Sequence, residues 1–283
     1  MGRQRGAFKR LRMAEAVNHR DLGTFTGEVL VFGGPYSNLQ AMQALIAEAQ
    51  RRGIAPANMI CTGDVVAYCA DPVATVAAIR DLGCAVVAGN CERQLGRAAP
   101  DCGCGFATGS ACDLLSDGWY AHADAQIGAA DRAWMAACPD IVTFRHAGRR
   151  CAAIHGGLTD ISRFLWPVSP ASDFAEEIAA IVDAVGPVDM VIGGHCGIAF
   201  CRQIGDLTWL NAGAIGMPPH DGRPQTRFAV LNGDRVVVHR LNYDHGAAAK
   251  AMVDSGLVQG YERSLSSGVW PSEDVLPDAL RRS

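Results

Sequence analysis

Long apolar runs are missing from this sequence of 283 residues. Nowhere do about 18 uncharged apolar residues follow one another, the length a helix needs to cross a bilayer, which excludes a helical membrane protein. The N-terminus, MGRQRGAFKRLRM, is basic, but no apolar stretch of signal-peptide length follows it, so no secretory leader is expected. A large excess of charge of one sign is also lacking. Lys and Arg number 25 against 29 Asp and Glu, a formal net charge of -4, which argues against a broad nucleic-acid surface. Cysteine is too sparse for a disulfide scaffold: eleven residues are about 4% of the chain, against about 8% or more in such scaffolds, and the number is odd. A reducing cytoplasm is therefore the expected compartment, with cysteines serving as core residues, metal ligands or redox groups. With 49% hydrophobic and 19% charged residues, a chain of this length can bury about 70% of its surface without staples.

What is present is a rhythm of short apolar runs that stop at glycine. Residues 26–32 (TGEVLVF) end at Gly33-Gly34, 58–61 (NMIC) at Thr62-Gly63-Asp64, and 85–88 (AVVA) at Gly89-Asn90. Residues 150–154 (RCAAI) end at His155-Gly156-Gly157, and 188–192 (VDMVI) at Gly193-Gly194-His195. Such runs read as strands buried on both faces. Residues 38–52 carry apolar side chains at 39, 42, 45, 46 and 49, the spacing of an amphipathic helix that closes on Gly53. Asp71-Pro72 opens a second helix that closes on Gly83. Strands at about 208–211, 227–231 and 235–241 follow, the last two joined at Asn232-Gly233-Asp234, a hairpin signal. The order predicts an α/β fold with mixed sheets. Residues 1–25 read as an N-terminal extension, 26–263 as one domain with an insertion at about 91–139 that holds helices near 110–117 and 129–137, and 264–283 as a loosely packed tail.

Ligands of open α/β sheets bind beyond the carboxyl ends of the strands. Four runs deliver Asp64, Asn90, His155 and His195 to that edge. A carboxylate, an amide oxygen and two imidazoles make a plausible first shell for a divalent or trivalent transition metal.

At these residues the chain resembles the calcineurin-like metallophosphoesterases, in the branch of small bacterial phosphodiesterases and diadenosine-polyphosphatase-like proteins. GGPYSNLQAM, GDVVAYCADP, GNCE, IHGG and GGHCGIAF stand in the order of the family's Asp-x-His, Gly-Asp, Gly-Asn-His, His-Gly and Gly-His-x-His motifs, and NAGAIGMPPHDGRP follows. The resemblance covers about residues 28–242. It implies a four-layer αββα sandwich with metals held between the loops.

The departures bear on chemistry. Gly34 and Tyr36 stand where the family has its first aspartate and histidine, Gly197 replaces the second histidine of Gly-His-x-His, and Cys91 replaces the catalytic histidine. The resemblance implies that Asp64, Asn90, His155 and His195 keep one complete metal position, while Asp64 alone survives of the other. One Mn, Fe or Zn per chain is expected. The catalytic group is then Asp64, His195 and Cys91. Loss of general acid catalysis alone is worth about 10² to 10⁴ in rate.

The cysteines divide into two groups. Cys61, Cys84, Cys138, Cys151 and Cys201 read as small core hydrophobes. Cys69, Cys91, Cys102, Cys104, Cys112 and Cys196 lie in or near the motifs, and their roles stay open between packing, a second metal or Fe-S cluster, and redox; their spacing matches no zinc-ribbon or ferredoxin pattern. His122, His146, His239 and His245 read as surface or capped histidines. His220, Arg223 and Arg227 are candidates for substrate binding, the arginines as phosphate clamps. Tyr36 either packs or fills the missing metal's space, and Trp166 either packs in the core or covers the pocket.

The leading reading is a metal-dependent hydrolase of phosphomonoesters or phosphodiesters, a small anionic substrate or nucleotide, with one retained metal position. Its rivals are a non-catalytic metal- or nucleotide-binding descendant and a cysteine-supported metal or cluster centre. A homo-oligomer is left open.

Overall fold

The computed structural model describes residues 17–282; the basic stretch MGRQRGAFKRLRM lies outside them. The layering is visible in four consecutive residues. Strand side chains alternate between faces, and in Val29–Phe32 the valines Val29 and Val31 point into one apolar cluster while Leu30 and Phe32 point into another. Both faces of this strand are therefore covered, which is why it reads as an unbroken apolar run.

In chain order the elements are β1 (His19–Phe25), β2 (Val29–Phe32), α1 (Leu39–Arg52), β3 (Met59–Cys61), α2 (Pro72–Leu82), β4 (Ala85–Val86), α3 (Asn90–Gly96), α4 (Ala111–Asp124), α5 (Ala129–Ala137) and β5 (Ile141–His146). Next come β6 (Arg149–Ala153), α6 (Ala171–Val185), β7 (Met190–Gly193), β8 (Phe200–Ile204), β9 (Leu207–Asn211), β10 (Thr226–Asn232), β11 (Arg235–Leu241), α7 (His245–Asp254) and α8 (Tyr261–Ser267). They build two mixed sheets, β1-β5-β6-β7-β9-β8 and β11-β10-β2-β3-β4.

Val29, Val31 and Ile60 of one sheet meet Phe144, Cys151, Met190, Ile192 and Leu210 of the other in the central core. Outside the five-stranded sheet, Met42 and Leu45 of α1, Val76 and Ile79 of α2 and Met252 of α7 cover Leu30, Phe32 and Met59. Outside the six-stranded sheet, Phe174 and Ile181 of α6 cover Ala152, Val191 and Trp209. The result is helix, sheet, sheet, helix, the four layers that the motifs imply.

Local signals act where the sequence places them. Asn38 caps α1 by accepting from the Ala41 N–H at 3.0 Å, and Gly53 ends it at φ +69°, a left-handed conformation that glycine adopts freely. Asn232 pairs with Arg235, so Gly233-Asp234 is a two-residue hairpin loop. No helix among the described residues is long and apolar enough to cross a membrane.

Several expectations change. Residues 19–25, assigned to an extension, form β1, which pairs in parallel with β5 at the edge of the six-stranded sheet. Their polar, exposed pattern is that of an edge strand beyond the helical cover. The segment after residue 263 is packed: Leu265 and Leu276 are buried, and Trp270 joins two of the apolar clusters. Cys201 is exposed on β8 rather than a core residue, Cys84 is partly exposed, and His146 is buried in β5 rather than at the surface.

Candidate metal centre

Parallel pairing of β2, β3 and β4 in one sheet, and of β6 and β7 in the other, sends their carboxyl ends to one edge of the sandwich. Asp64 follows β3, Asn90 opens α3 after β4, His155 follows β6 and His195 follows β7. Asp64 and His195 hold φ of +54° and +59°, a sparsely populated region that these loops impose at the site. The approach is close: a Cβ on Gly89 would sit 2.3 Å from Asp64 Oδ1, so only glycine fits there.

Hydrogen bonds fix which atoms face inward. His155 Nδ1 is 2.6 Å from the Thr62 carbonyl oxygen, which can only accept, so Nδ1 carries the proton and Nε2 faces the centre. Asn90 Nδ2 donates to the Cys102 carbonyl at 2.9 Å, which turns Oδ1 inward. Around His155 Nε2 stand His195 Nδ1 at 3.0 Å, Asn90 Oδ1 at 3.1 Å and Asp64 Oδ2 at 3.3 Å. Asp64, Asn90 and His155 are almost wholly buried.

Such a gathering of electron-rich atoms favours a positive charge, whether on the imidazole or on a cation among them. Burial lowers the pKa of His155, but the Asp64 carboxylate, together with the Thr62 carbonyl and the Glu92 charge, outweighs it and holds the imidazole above its ordinary value. Burial likewise disfavours the Asp64 charge, and His155, with His195 and the Cys91 N–H, outweighs that, so the carboxyl lies below its ordinary value. His195, desolvated and beside His155, is pushed down to about 3 and stays neutral. A transition-metal cation fits this donor set, and among the described residues Asp64, His155 and His195 are the His, Cys, Asp or Glu grouping with ligand atoms close enough to hold one, all within 4.8 Å of one another.

Glu92 is a member of the site that sequence reasoning missed. Fully buried on α3, its carboxylate accepts from the backbone N–H of Asp64 at 2.8 Å, Val65 at 2.9 Å and Gly89 at 2.8 Å. It thus holds both the Asp64 and the Asn90 loops. Burial and the Asp64 charge push its carboxyl up. Its place three residues after Gly89, the reach of a capping box, was the available signal.

The other candidates stand elsewhere. Cys91 is 1% exposed, and burial, with Asp64 nearby, pushes its thiol well above the ordinary value, the reverse of an activated nucleophile. The sulfurs of Cys102 and Cys104 are paired with each other in the loop above Asn90. Asn90 Nδ2 also lies 3.3 Å from Cys104 Sγ and 3.5 Å from Cys91 Sγ. Cys69 donates toward the Gly216 carbonyl at 3.8 Å, Cys196 lies 3.2 Å from Asn211 Nδ2, and Cys112 sits on α4. The six do not converge as a cluster would require.

His220 is locked, Nε2 against Glu273 at 2.6 Å and Nδ1 accepting from the Trp270 backbone at 2.9 Å. Arg227 spends its guanidinium on Asp221 and on the Gln225 and Thr226 carbonyls. Arg223 is exposed on the preceding loop. Arg93 and Arg97, with Asn18 and Asp140, line a polar groove of about 390 Å³ that reaches His155, and Arg93 is there paired with Asp140 and donates to the Cys138 carbonyl at 2.9 Å.

Fold and site define a class. Residues 36–235 match the calcineurin-like phosphoesterase superfamily domain, and the chain belongs to that superfamily. A metallophosphoesterase from Sphaerobacter thermophilus has the same fold, with a TM-score of 0.65 and 19% identity over 87% of this chain and 100% of that one. A hypothetical protein of Pyrococcus horikoshii gives 0.69 and 15% over 85% and 98%. An uncharacterized protein of Methanocaldococcus jannaschii is 40% identical over 62 residues, which is 22% of this chain and 25% of that relative. The match therefore spans about a quarter of that relative's length.

Proposed function

We propose that this chain is a phosphoesterase that hydrolyses a small anionic ester with a single transition-metal cation, Mn, Fe or Zn, held by Asp64, Asn90, His155 and His195. The convergence of Asp64, Asn90 and His195 on His155 Nε2, at 3.0 to 3.3 Å with Nδ1 tied to Thr62, carries the reading. When bound, such a cation supplies Lewis-acid charge for the phosphoryl oxygen and for water. The chain's own residues do the rest. Thr62 fixes the His155 tautomer, Glu92 fixes Asp64, and the polar groove lined by Arg93, Arg97 and Asp140 gives a small ester an approach to His155. With Cys91 in place of a histidine, the position that would protonate a leaving alkoxide carries a buried thiol instead. Esters with good leaving groups are the expected substrates, and unactivated ones are expected to turn over about 10² to 10⁴ more slowly for want of that acid.

The test is elemental analysis of the full chain together with hydrolysis of bis(4-nitrophenyl) phosphate. One metal per chain is expected, with activity lost in His155→Ala and Asp64→Asn; activity that survives either substitution defeats the site.

A second reading is favoured by the replacements at Tyr36, Cys91 and Gly197: a descendant that binds the cation, or a nucleotide on it, without turnover. Metal bound with no ester cleaved under Mn, Fe or Zn supports it over the first.

A further inference from the structure

Beside the candidate metal centre lies a second space, where Tyr36, His195 and Gly197 of the motifs meet the C-terminal segment. Tyr36, Phe164, Trp166, Met217, Trp270 and Val275 are among its walls, and His195 forms its inner end. Seven of the chain's 19 aromatic residues line it, and no Asp, Glu, Lys or Arg does. Phe164 and Trp166 stack with their planes 3° apart, and the Phe164 ring centroid is 4.2 Å from that of His195. One imidazole thus joins two environments: its Nδ1 belongs to the polar cluster, and its ring forms part of an apolar wall.

We propose that this pocket binds the uncharged organic group of the ester, a single aromatic ring or a short branched alkyl chain, while the phosphoryl group lies at the metal centre. The inference rests on the phosphoesterase reading and names its substrate class. Two magnitudes select the occupant. The space that the centre of a water molecule can reach is about 50 Å³. One water represents about 30 Å³ of liquid, so a space of this order takes the volume of several waters, the scale of one six-membered ring or a short branched chain. Placing a phosphate there would strip its hydration with no cation to compensate, a cost that excludes a polyphosphate chain.

The wall supplied by the C-terminal segment is held in place. Trp270 Nε1 donates to the Pro218 carbonyl at 2.7 Å, and His220 accepts from the Trp270 backbone while contacting Glu273. His220, expected to touch substrate, instead builds the pocket that takes it.

Calorimetric titration of the full chain with Mn²⁺ uses phenylphosphonate, methylphosphonate and benzyl alcohol, none of which is hydrolysed as an ester. Phenylphosphonate is expected to bind about tenfold or more tighter than methylphosphonate, from burial of the ring. Val275→Trp, which fills the pocket, is expected to abolish that preference, and Val275→Ala to retain it, with metal content unchanged in both. Equal affinities for the two phosphonates, or a preference that survives Val275→Trp in folded protein, overturn the pocket and leave the metal site standing. If no metal or phosphonate binds, the phosphoesterase reading fails separately. Benzyl alcohol then decides the pocket: binding that Val275→Trp removes supports it, and no binding overturns it.

Discussion

The ring of Tyr36 covers Gly34 so closely that a Cβ on Gly34 would fall 2.3 Å from Tyr36 Cζ. A Cβ on Gly197 would have the Tyr36 hydroxyl as a neighbour at 3.7 Å. One side chain therefore extends between the two positions at which the related motifs carry an aspartate and a histidine. The three replacements are coupled by packing. Gly34→Asp alone is expected to destabilise the chain by about 1 to 3 kcal/mol through overpacking, and Tyr36→His is expected to recover part of the loss when combined with it. A double-mutant cycle in urea measures that coupling. Adding Gly197→His is expected to raise the metal content of the double variant from one to two per chain, read by elemental analysis.

The cluster around His155 Nε2 predicts that metal is a folding ligand. Anything that binds only the native state stabilises it by about 2.7 kcal/mol at 100 times its Kd. Thermal unfolding of the wild type with Mn²⁺ is expected to exceed that with a chelator by about 5 °C or more. His155→Ala is expected to show no difference between the two conditions.

Much of the centre was legible because apolar runs that stop at glycine mark strand carboxyl ends, and Asp64, Asn90, His155 and His195 each follow such a run. The layers were legible for the same reason, since β2, β3 and β7 are covered on both faces. Contacts between polar residues far apart in sequence were not. Glu273 reaches His220 across 53 positions, and nothing in the apolar pattern of the last twenty residues marks that pairing. β1 carries no alternation because it is an exposed edge strand. Glu92 was visible as a residue of GNCE, but its role depends on the fold that brings Asp64 beside α3.

Glu92 acts on the candidate metal centre through the backbone. Glu92→Gln replaces one acceptor oxygen by an NH₂ that cannot accept from any of the three N–H groups it faces. The expected cost is about 2 kcal/mol or more in urea unfolding. Metal affinity is expected to fall about 10- to 100-fold, as for other residues that orient ligands. Unchanged metal affinity in the folded variant would refute the positioning role.

Glu177 fixes the chain just after His155. Its fully buried carboxylate accepts from the Leu158 N–H at 2.6 Å and the Thr159 N–H at 3.0 Å, from the Thr159 hydroxyl, and from Arg163 at 2.8 Å. Burial raises the carboxyl's pKa, but the hydrogen bonds from Thr159 and Arg163 outweigh it and leave the group below its ordinary value. For a depressed carboxylate the stabilisation is fully present above the unfolded pKa of about 4.3 and is lost as pH falls through the folded value. The stability difference between wild type and Glu177→Gln is therefore expected to be constant from neutral pH to about 4.3 and to shrink below it. A difference that stays level through the acid range would remove the carboxylate from the account.

The cysteines make the last prediction, which concerns reactivity. A thiol reacts as its thiolate, so burial suppresses it twice, by limiting access and by raising the pKa. Cys91 is 1% exposed and held well above the ordinary value by burial and Asp64, whereas Cys201 is exposed on β8. Brief alkylation of the native chain with iodoacetamide at mildly alkaline pH, mapped by mass spectrometry, is expected to label Cys201 and leave Cys91 unmodified until the chain is unfolded. Labelling of Cys91 as fast as Cys201 in folded protein would restore Cys91 as a candidate nucleophile. Protection of Cys91 would remove its thiol as a candidate nucleophile and leave the cation proposed at Asp64, Asn90, His155 and His195 as the source of the chemistry expected at this edge of the sandwich.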